Sequence, residues 1–118
     1  MIDRTRPDCL FCKIVRKEIP ARELMRTDEA VVFYDLNPMA PTHLLVVPAR
    51  HADNLGEFVA AAEPDEVGRL FTLASTVARG AAPAGYRIVV NEGTEGGQTV
   101  SHLHLHILGG RHMTWPPG

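Results

Sequence analysis

His102-Leu103-His104-Leu105-His106-Ile107-Leu108-Gly109-Gly110 alternates histidine with aliphatic residues and ends in two glycines. Successive side chains of a β-strand point to opposite faces, so a strand over residues 102–109 places three imidazoles on one face and the aliphatic side chains in the core. A helix also brings His102 and His106 together, at a spacing of four residues, but it turns His104 away. The strict alternation and the glycine stop favour the strand.

Three imidazoles on one face suit proton transfer, covalent catalysis or metal binding, because the pKa of free histidine is about 6.5. Alternate residues of a strand lie about 7 Å apart and the outer pair about 13 Å, whereas a zinc ion holds its ligands at about 2 Å. Catalysis therefore fits the spacing better than one metal shared by all three. The preceding loop, residues 96–99, can offer N–H groups and a hydroxyl to a phosphate. The alternative for the three histidines is an ordinary polar sheet face. The alternative for the loop is an ordinary glycine-rich hairpin connection.

The whole pattern predicts one α+β domain over residues 1–118. Helices are expected over residues 10–17, with Asp8 as the N-cap, and over residues 64–81. Strands are expected over residues 22–27, 30–35, 43–48, 86–91 and 102–109. The expected architecture is a mostly antiparallel sheet of about five strands with two helices.

Composition narrows the classes of partner. The formal net charge of −2 gives no reason to expect long nucleic acid as a ligand, since such proteins carry a basic face or stripe. The N-terminal residues lack the apolar run of a signal peptide, and no apolar segment approaches the length of a membrane span. We therefore expect a soluble cytoplasmic protein with a small ligand and no membrane contact.

The two cysteines, Cys9 and Cys12, have a spacing that lets both thiolates reach one zinc ion. A tetrahedral zinc site needs two further ligands. A reduced pair without metal and a redox-active dithiol are the alternatives to the zinc site.

With these motifs assembled, the sequence closely resembles the histidine triad (HIT) family. The resemblance rests on residues 102–108 and extends to residues 13–21, 40–43, 90–93 and 115–118. Gly96-Gly97-Gln98 and the Trp-Pro-Pro-Gly ending are most similar to its Hint branch, the histidine triad nucleotide-binding proteins. The resemblance implies a homodimer with a continuous sheet and a bound purine nucleoside 5′-monophosphate. It also implies hydrolysis of the phosphorus–nitrogen bond of nucleoside phosphoramidates.

The resemblance also implies roles for individual residues. His104 is the nucleophile that forms a nucleotidyl-histidine, while His102 and His106 bind phosphate oxygens and manage protons. Asp35 is the ribose-binding acid. The residues implied around the base are Phe11, Ile14, Phe33 and Leu36, and those on the phosphate side are Asn91, Gly97, Gln98 and Thr99. Cys9, Cys12, His51 and His102 are the implied ligands of a structural zinc ion, and the chemistry needs no cofactor.

Two other functions remain open at this point. A dinucleoside polyphosphate hydrolase uses the same nucleophile on a phosphoanhydride. A non-catalytic module, which senses nucleotides or carries zinc and binds protein partners, is the alternative from another class. His43 and His112 are expected to be structural or solvated.

Overall fold

The computed structural model describes residues 5–118, which form a five-stranded antiparallel sheet and four helices. The elements are α1 (Leu10–Val15), β1 (Glu23–Arg26), β2 (Ala30–Tyr34), β3 (Thr42–Pro48), α2 (Leu55–Ala61), α3 (Pro64–Ala81), β4 (Tyr86–Val90), α4 (Gly93–Gly96) and β5 (Leu105–Gly109). The strand order is β1-β2-β3-β5-β4, and every neighbouring pair is antiparallel. The predicted α+β class and five-stranded sheet are confirmed.

Both faces of the sheet centre are covered. On one face, Leu44, Val46, Leu105 and Ile107 pack with Phe58 of α2 and the buried face of α3. On the other face, Val31, Phe33, Leu45 and Val47 pack with Phe11 and Ile14 of α1. This double burial explains why β3 reads as a continuous apolar run rather than an alternating one.

The predicted strand over residues 102–109 is wrong at its beginning, because β5 begins at Leu105. Only His106 of the three histidines lies in the strand. The amide of Leu103 donates to the carbonyl oxygen of Ala52 (2.8 Å) instead of joining the sheet. On the neighbouring strand, Pro48 has no N–H, and its carbonyl oxygen accepts from the ring of His102 (2.8 Å). The hydrogen-bonded ladder therefore starts at Leu105 and does not include His102 or His104.

The helices differ from the prediction at their ends and in number. The N-cap of α1 is Cys9 rather than Asp8, and the helix stops at Val15, two residues before Lys17, which has a φ of 61°. The prediction for α3 is confirmed. Two further helices, α2 and α4, were not predicted, although Asn54 caps α2 in the usual way by accepting from the amide of Glu57 (2.9 Å). Within residues 5–118, no helix has both the length and the apolar character needed to cross a membrane.

Gly109, the last residue of β5, allows the end of α3 to pack closely against the sheet. An added Cβ at this position would clash with Cβ of Ala82 and lie 3.2 Å from the carbonyl oxygen of Gly85. We predict that Gly109→Ala lowers the free energy of unfolding by about 1–3 kcal/mol, because the core must shift to admit the methyl group. Urea denaturation measures this change.

Gly80→Ala is the matched control for this prediction. An added Cβ there meets no atom within 4 Å, and the position lies in α3. This substitution is expected to stabilise the protein by about 0.5–1 kcal/mol through helix propensity. Equal effects of the two substitutions would contradict the packing argument.

Candidate active site and metal centre

Four side chains gather between α1, the end of β3 and the segment before β5. They are Cys9, Cys12, His51 and His102, and one ligand atom from each lies within 4.8 Å of the others. Sγ of Cys9 lies 3.2 Å from Nδ1 of His102. Sγ of Cys12 lies 3.3 Å from Nδ1 of His51 and 3.5 Å from Nδ1 of His102. A tetrahedral zinc ion separates its sulfur and nitrogen ligands by about 3.5 Å, so the described donors fit one ion.

The hydrogen bonds around this cluster orient its imidazoles as metal ligands. Nε2 of His102 donates to the carbonyl oxygen of Pro48, and Nε2 of His51 donates to Oδ1 of Asp53 (2.7 Å). Each ring therefore turns the lone pair of Nδ1 toward the sulfur atoms. Burial lowers the pKa of His102 to about 4, which keeps the ring neutral near pH 7. Burial raises the pKa of the Cys12 thiol to about 11, a shift that a bound cation opposes.

A second group of side chains forms a hydrogen-bonded chain on the α1 face of the sheet. The backbone amide of Met39 donates to Nδ1 of His43 (3.0 Å). Since an amide N–H only donates, the neutral His43 ring carries its proton on Nε2 and donates it to Nδ1 of His106 (2.9 Å). The His106 ring then carries its own proton on Nε2. Oδ2 of Asp35 lies 3.5 Å from Nε2 of His43.

His43 belongs to this site, although the sequence suggested a structural or solvated residue. Strand alternation gives the face of β3 on which His43 lies, and the register with β5 places it near His106. His43 and Leu45 share a face of β3, and Leu45 pairs with His106 across the sheet. His43 therefore lies on the same face as His106 and diagonal to it.

His104 is the buried residue between the two groups. Its Nδ1–H donates to the carbonyl oxygen of His102 (2.8 Å), which leaves the lone pair on Nε2. The ring centroid lies 5.1 Å from that of Phe11 and 4.9 Å from that of His106, in edge-to-face arrangements. In its neutral form this ring therefore has an unprotonated Nε2, and it lies beside a second imidazole that carries an N–H. This arrangement suits nucleophilic attack combined with hydrogen bonding to an anionic group.

The comparisons with known proteins identify the family of this chain. A HIT domain profile matches residues 16–113. The chain belongs to the HIT domain family. The resemblance seen in the sequence is confirmed at the level of the family, whereas its Hint branch stays a prediction.

Relatives of this HIT domain include bacterial and plant proteins. It is 44% identical over 111 residues to an uncharacterised HIT-like protein of Synechococcus elongatus, and the aligned region covers 94% of this chain and 97% of the relative. It is 42% identical over 112 residues to a 14 kDa zinc-binding protein of Zea mays, covering 92% and 87%. The structure of a HIT family hydrolase from Legionella pneumophila superposes with a TM-score of 0.84 at 41% identity, covering 94% and 100%. The chain therefore has the fold of a HIT family hydrolase.

Of the residues expected around a base, three lie together in this HIT domain. Phe11, Ile14 and Phe33 are buried in the apolar cluster beneath α1, with the rings of Phe11 and Phe33 5.7 Å apart. Leu36 lies apart from them and is 94% exposed. Asp35 follows β2, and its Oδ1 accepts from the amide of Asn37 (2.8 Å).

The residues expected on the phosphate side follow β4 and α4. Asn91 comes directly after β4, and Gly97 caps α4 with a φ of 79°, a conformation that favours glycine. Nε2 of Gln98 donates to the carbonyl oxygens of Asp53 (2.5 Å) and Val100 (2.9 Å), which fixes this loop to the segment that holds His51. Thr99 is exposed and borders a groove that Cys9 and His51 also line.

The His106 imidazole is expected to stay neutral far below the ordinary pKa of histidine. Burial, followed by repulsion from His104 and His43, lowers its pKa to about 4, and only Asp35 opposes the shift. As the pH falls from about 6.5 to about 4, the unfolded chain takes up this proton first, so the folded state loses stability in that window. Nuclear magnetic resonance titration should give a ring midpoint of about 4.

The stability side of this prediction is tested by urea denaturation at pH 7 and pH 5. His106→Asn removes this titration and should lose less stability between the two pH values than the unmodified protein. An ordinary midpoint of about 6.5 for His106, with no difference between the two proteins, would contradict the burial argument.

Proposed function

We propose that this HIT domain hydrolyses the phosphorus–nitrogen bond of purine nucleoside 5′-phosphoramidates, such as AMP joined to an amine. The observation that carries the proposal is the hydrogen bond from Nδ1 of His104 to the carbonyl oxygen of His102. It fixes the tautomer that a nucleophilic imidazole needs, with the lone pair on Nε2. The HIT family hydrolase fold supports the same reaction class.

In the proposed reaction, Nε2 of His104 attacks the α-phosphorus, and the bond from phosphorus to the amine nitrogen breaks. The departing nitrogen takes up a proton from solvent. Nδ1–H then lies on a positively charged nucleotidyl-imidazole, and the His102 carbonyl stabilises that charge. In the second step, water attacks the same phosphorus and gives up a proton to solvent. The bond to Nε2 breaks, its electron pair returns to Nε2, and the nucleoside monophosphate is released.

The remaining side chains bind the substrate in this proposal. His106 donates its Nε2–H to an oxygen of the α-phosphate, and His43 holds the tautomer that makes this possible. Asp35 accepts hydrogen bonds from the ribose hydroxyls. The base lies against Phe11, Ile14, Phe33 and Leu36, and the phosphate side is formed by Asn91, Gly97, Gln98 and Thr99. His102 acts through its carbonyl oxygen, because both of its ring nitrogens have other partners.

The homodimer and the cytoplasmic location expected from the sequence are part of the same proposal. β4 is an edge strand whose five residues are all only partly buried, which suits pairing with a second copy into a continuous sheet. The two cysteines are not joined by a disulfide, which fits a reducing compartment such as the cytoplasm.

His104→Ala is the central test of the proposed function. We expect turnover of an adenosine phosphoramidate to fall by about 1,000-fold or more, because the attacking nitrogen is lost. AMP binding and the folded structure should be retained. His112→Ala, at an exposed position beyond β5, is the control and should keep full turnover. Mass spectrometry of protein quenched during turnover should locate the nucleotidyl group on His104.

Two results would contradict the proposal. Unchanged turnover in His104→Ala would remove this residue from the nucleophile's role. AMP binding without turnover of several phosphoramidates would favour a nucleotide-sensing module, and faster cleavage of dinucleoside polyphosphates would favour the phosphoanhydride reaction.

We also propose that Cys9, Cys12, His51 and His102 hold a structural zinc ion, which neutralises the thiolates and cross-links three segments of the chain. The described geometry of the four donors supports it, as does the zinc-binding relative from Zea mays. Protein purified without chelators should contain about one zinc ion per chain by elemental analysis, and Cys9→Ser/Cys12→Ser should contain almost none. Less than a tenth of an equivalent in the unmodified protein would contradict the site.

A further inference from the structure

We infer that the cluster of Cys9, Cys12, His51 and His102, when it holds a metal ion, positions the nucleophile His104 and the helix α1 beside it. The inference rests on the proposed function and adds a control of the same site by metal loading. It assigns the cluster an effect on nucleotide binding and on the rate, beyond its effect on stability.

His102 connects the two groups through a single residue. Its ring contacts the sulfur atoms through Nδ1 and the Pro48 carbonyl through Nε2, while its own carbonyl oxygen accepts the Nδ1–H of His104. The residue lies outside β5, and the peptide that carries its carbonyl is held instead by the bond from the Leu103 amide to the carbonyl oxygen of Ala52, the residue after His51. Fixing the rings of His102 and His51 therefore restrains this peptide from both sides, and its carbonyl orients the His104 imidazole.

The helix α1 is the second route. It has only six residues, a length that is not stable in isolation. Cys9 is its N-cap and Cys12 lies in its middle, so two of the four donors belong to it. Phe11, between them, contacts the rings of both His102 (5.9 Å) and His104 (5.1 Å). A metal ion held at the cluster keeps this aromatic side chain against the nucleophile.

Loss of the metal leaves hydrogen bonds as the links among the four donors, and between the donors and neighbours such as Pro48 and Asp53. Such bonds are weak compared with metal coordination. We expect the His102 backbone and α1 to gain freedom, and the His104 ring to lose its fixed orientation. A misplacement of about 1 Å at a reacting group is enough to reduce a rate by about 100-fold, so the rate should fall by about tenfold or more.

The test compares four proteins: the zinc-loaded chain, the same chain stripped by a chelator, Cys9→Ser/Cys12→Ser, and Lys13→Ser. Lys13 lies on α1 but outside the cluster, which makes its replacement the matched control. Three readouts are independent of turnover: AMP affinity by calorimetry, hydrogen exchange of α1 and residues 97–104, and the nitrogen-15 signal of Nδ1–H of His104. Amides of Val31 and Val46 in the sheet report whether each protein is folded.

The inference expects the stripped chain and the double variant to bind AMP about tenfold more weakly, to exchange faster in α1 and residues 97–104, and to lose the His104 Nδ1–H signal, while the sheet amides stay protected. Lys13→Ser should match the zinc-loaded chain. If the double variant does not fold, the stripped chain decides the result.

Stoichiometric zinc whose removal changes none of these readouts would overturn the inference and leave the metal as a structural element alone. Absence of zinc binding would overturn it as well. Failure of the proposed reaction is recognised separately, because the exchange and resonance readouts report the position of His104 without any substrate.

Discussion

The hydrogen bond from His104 to the carbonyl oxygen of His102 is the constraint on which the site depends. An imidazole has two equivalent-looking nitrogens, and only the one without a proton can attack phosphorus. A carbonyl oxygen accepts and never donates, so in the neutral ring this contact places the proton on Nδ1 and the lone pair on Nε2. The backbone thereby makes a protonation choice that no side chain in the sequence reveals.

A hydrogen bond also fixes the tautomer of every histidine in the two groups. The Met39 amide fixes His43, His43 fixes His106, the Pro48 carbonyl fixes His102, and Asp53 fixes His51. Burial then keeps the rings of His102 and His106 neutral by lowering their pKa values. A neutral imidazole is the form that binds a metal or attacks phosphorus, so the core environment and the backbone partners act toward the same chemistry.

The sequence predicts the sheet, α1 and α3 well, because their apolar periodicities are strong and local. It also predicts which cysteines and histidines converge, although that set came from a family resemblance rather than from spacing. It does not predict that β5 begins at Leu105, since the interruption depends on the long-range contacts of Leu103 with Ala52 and of His102 with Pro48. His43 was missed for a similar reason: its role depends on the register between β3 and β5, which only the folded sheet defines.

The start of β5 at Leu105, rather than at His102, determines how the three histidines are arranged. A continuous strand from His102 to His106 would space the three rings about 7 Å apart on one face and would keep the His102 backbone in the plane of the sheet. Because the ladder stops at Leu105, the backbone of residues 102–104 is free to leave the sheet plane. The His102 ring then reaches the thiols of α1, while its carbonyl stays within 2.8 Å of Nδ1 of His104. The late start of β5 thus separates the alternating histidine run into the proposed metal ligand His102 and the proposed nucleophile His104, which the His102 carbonyl connects.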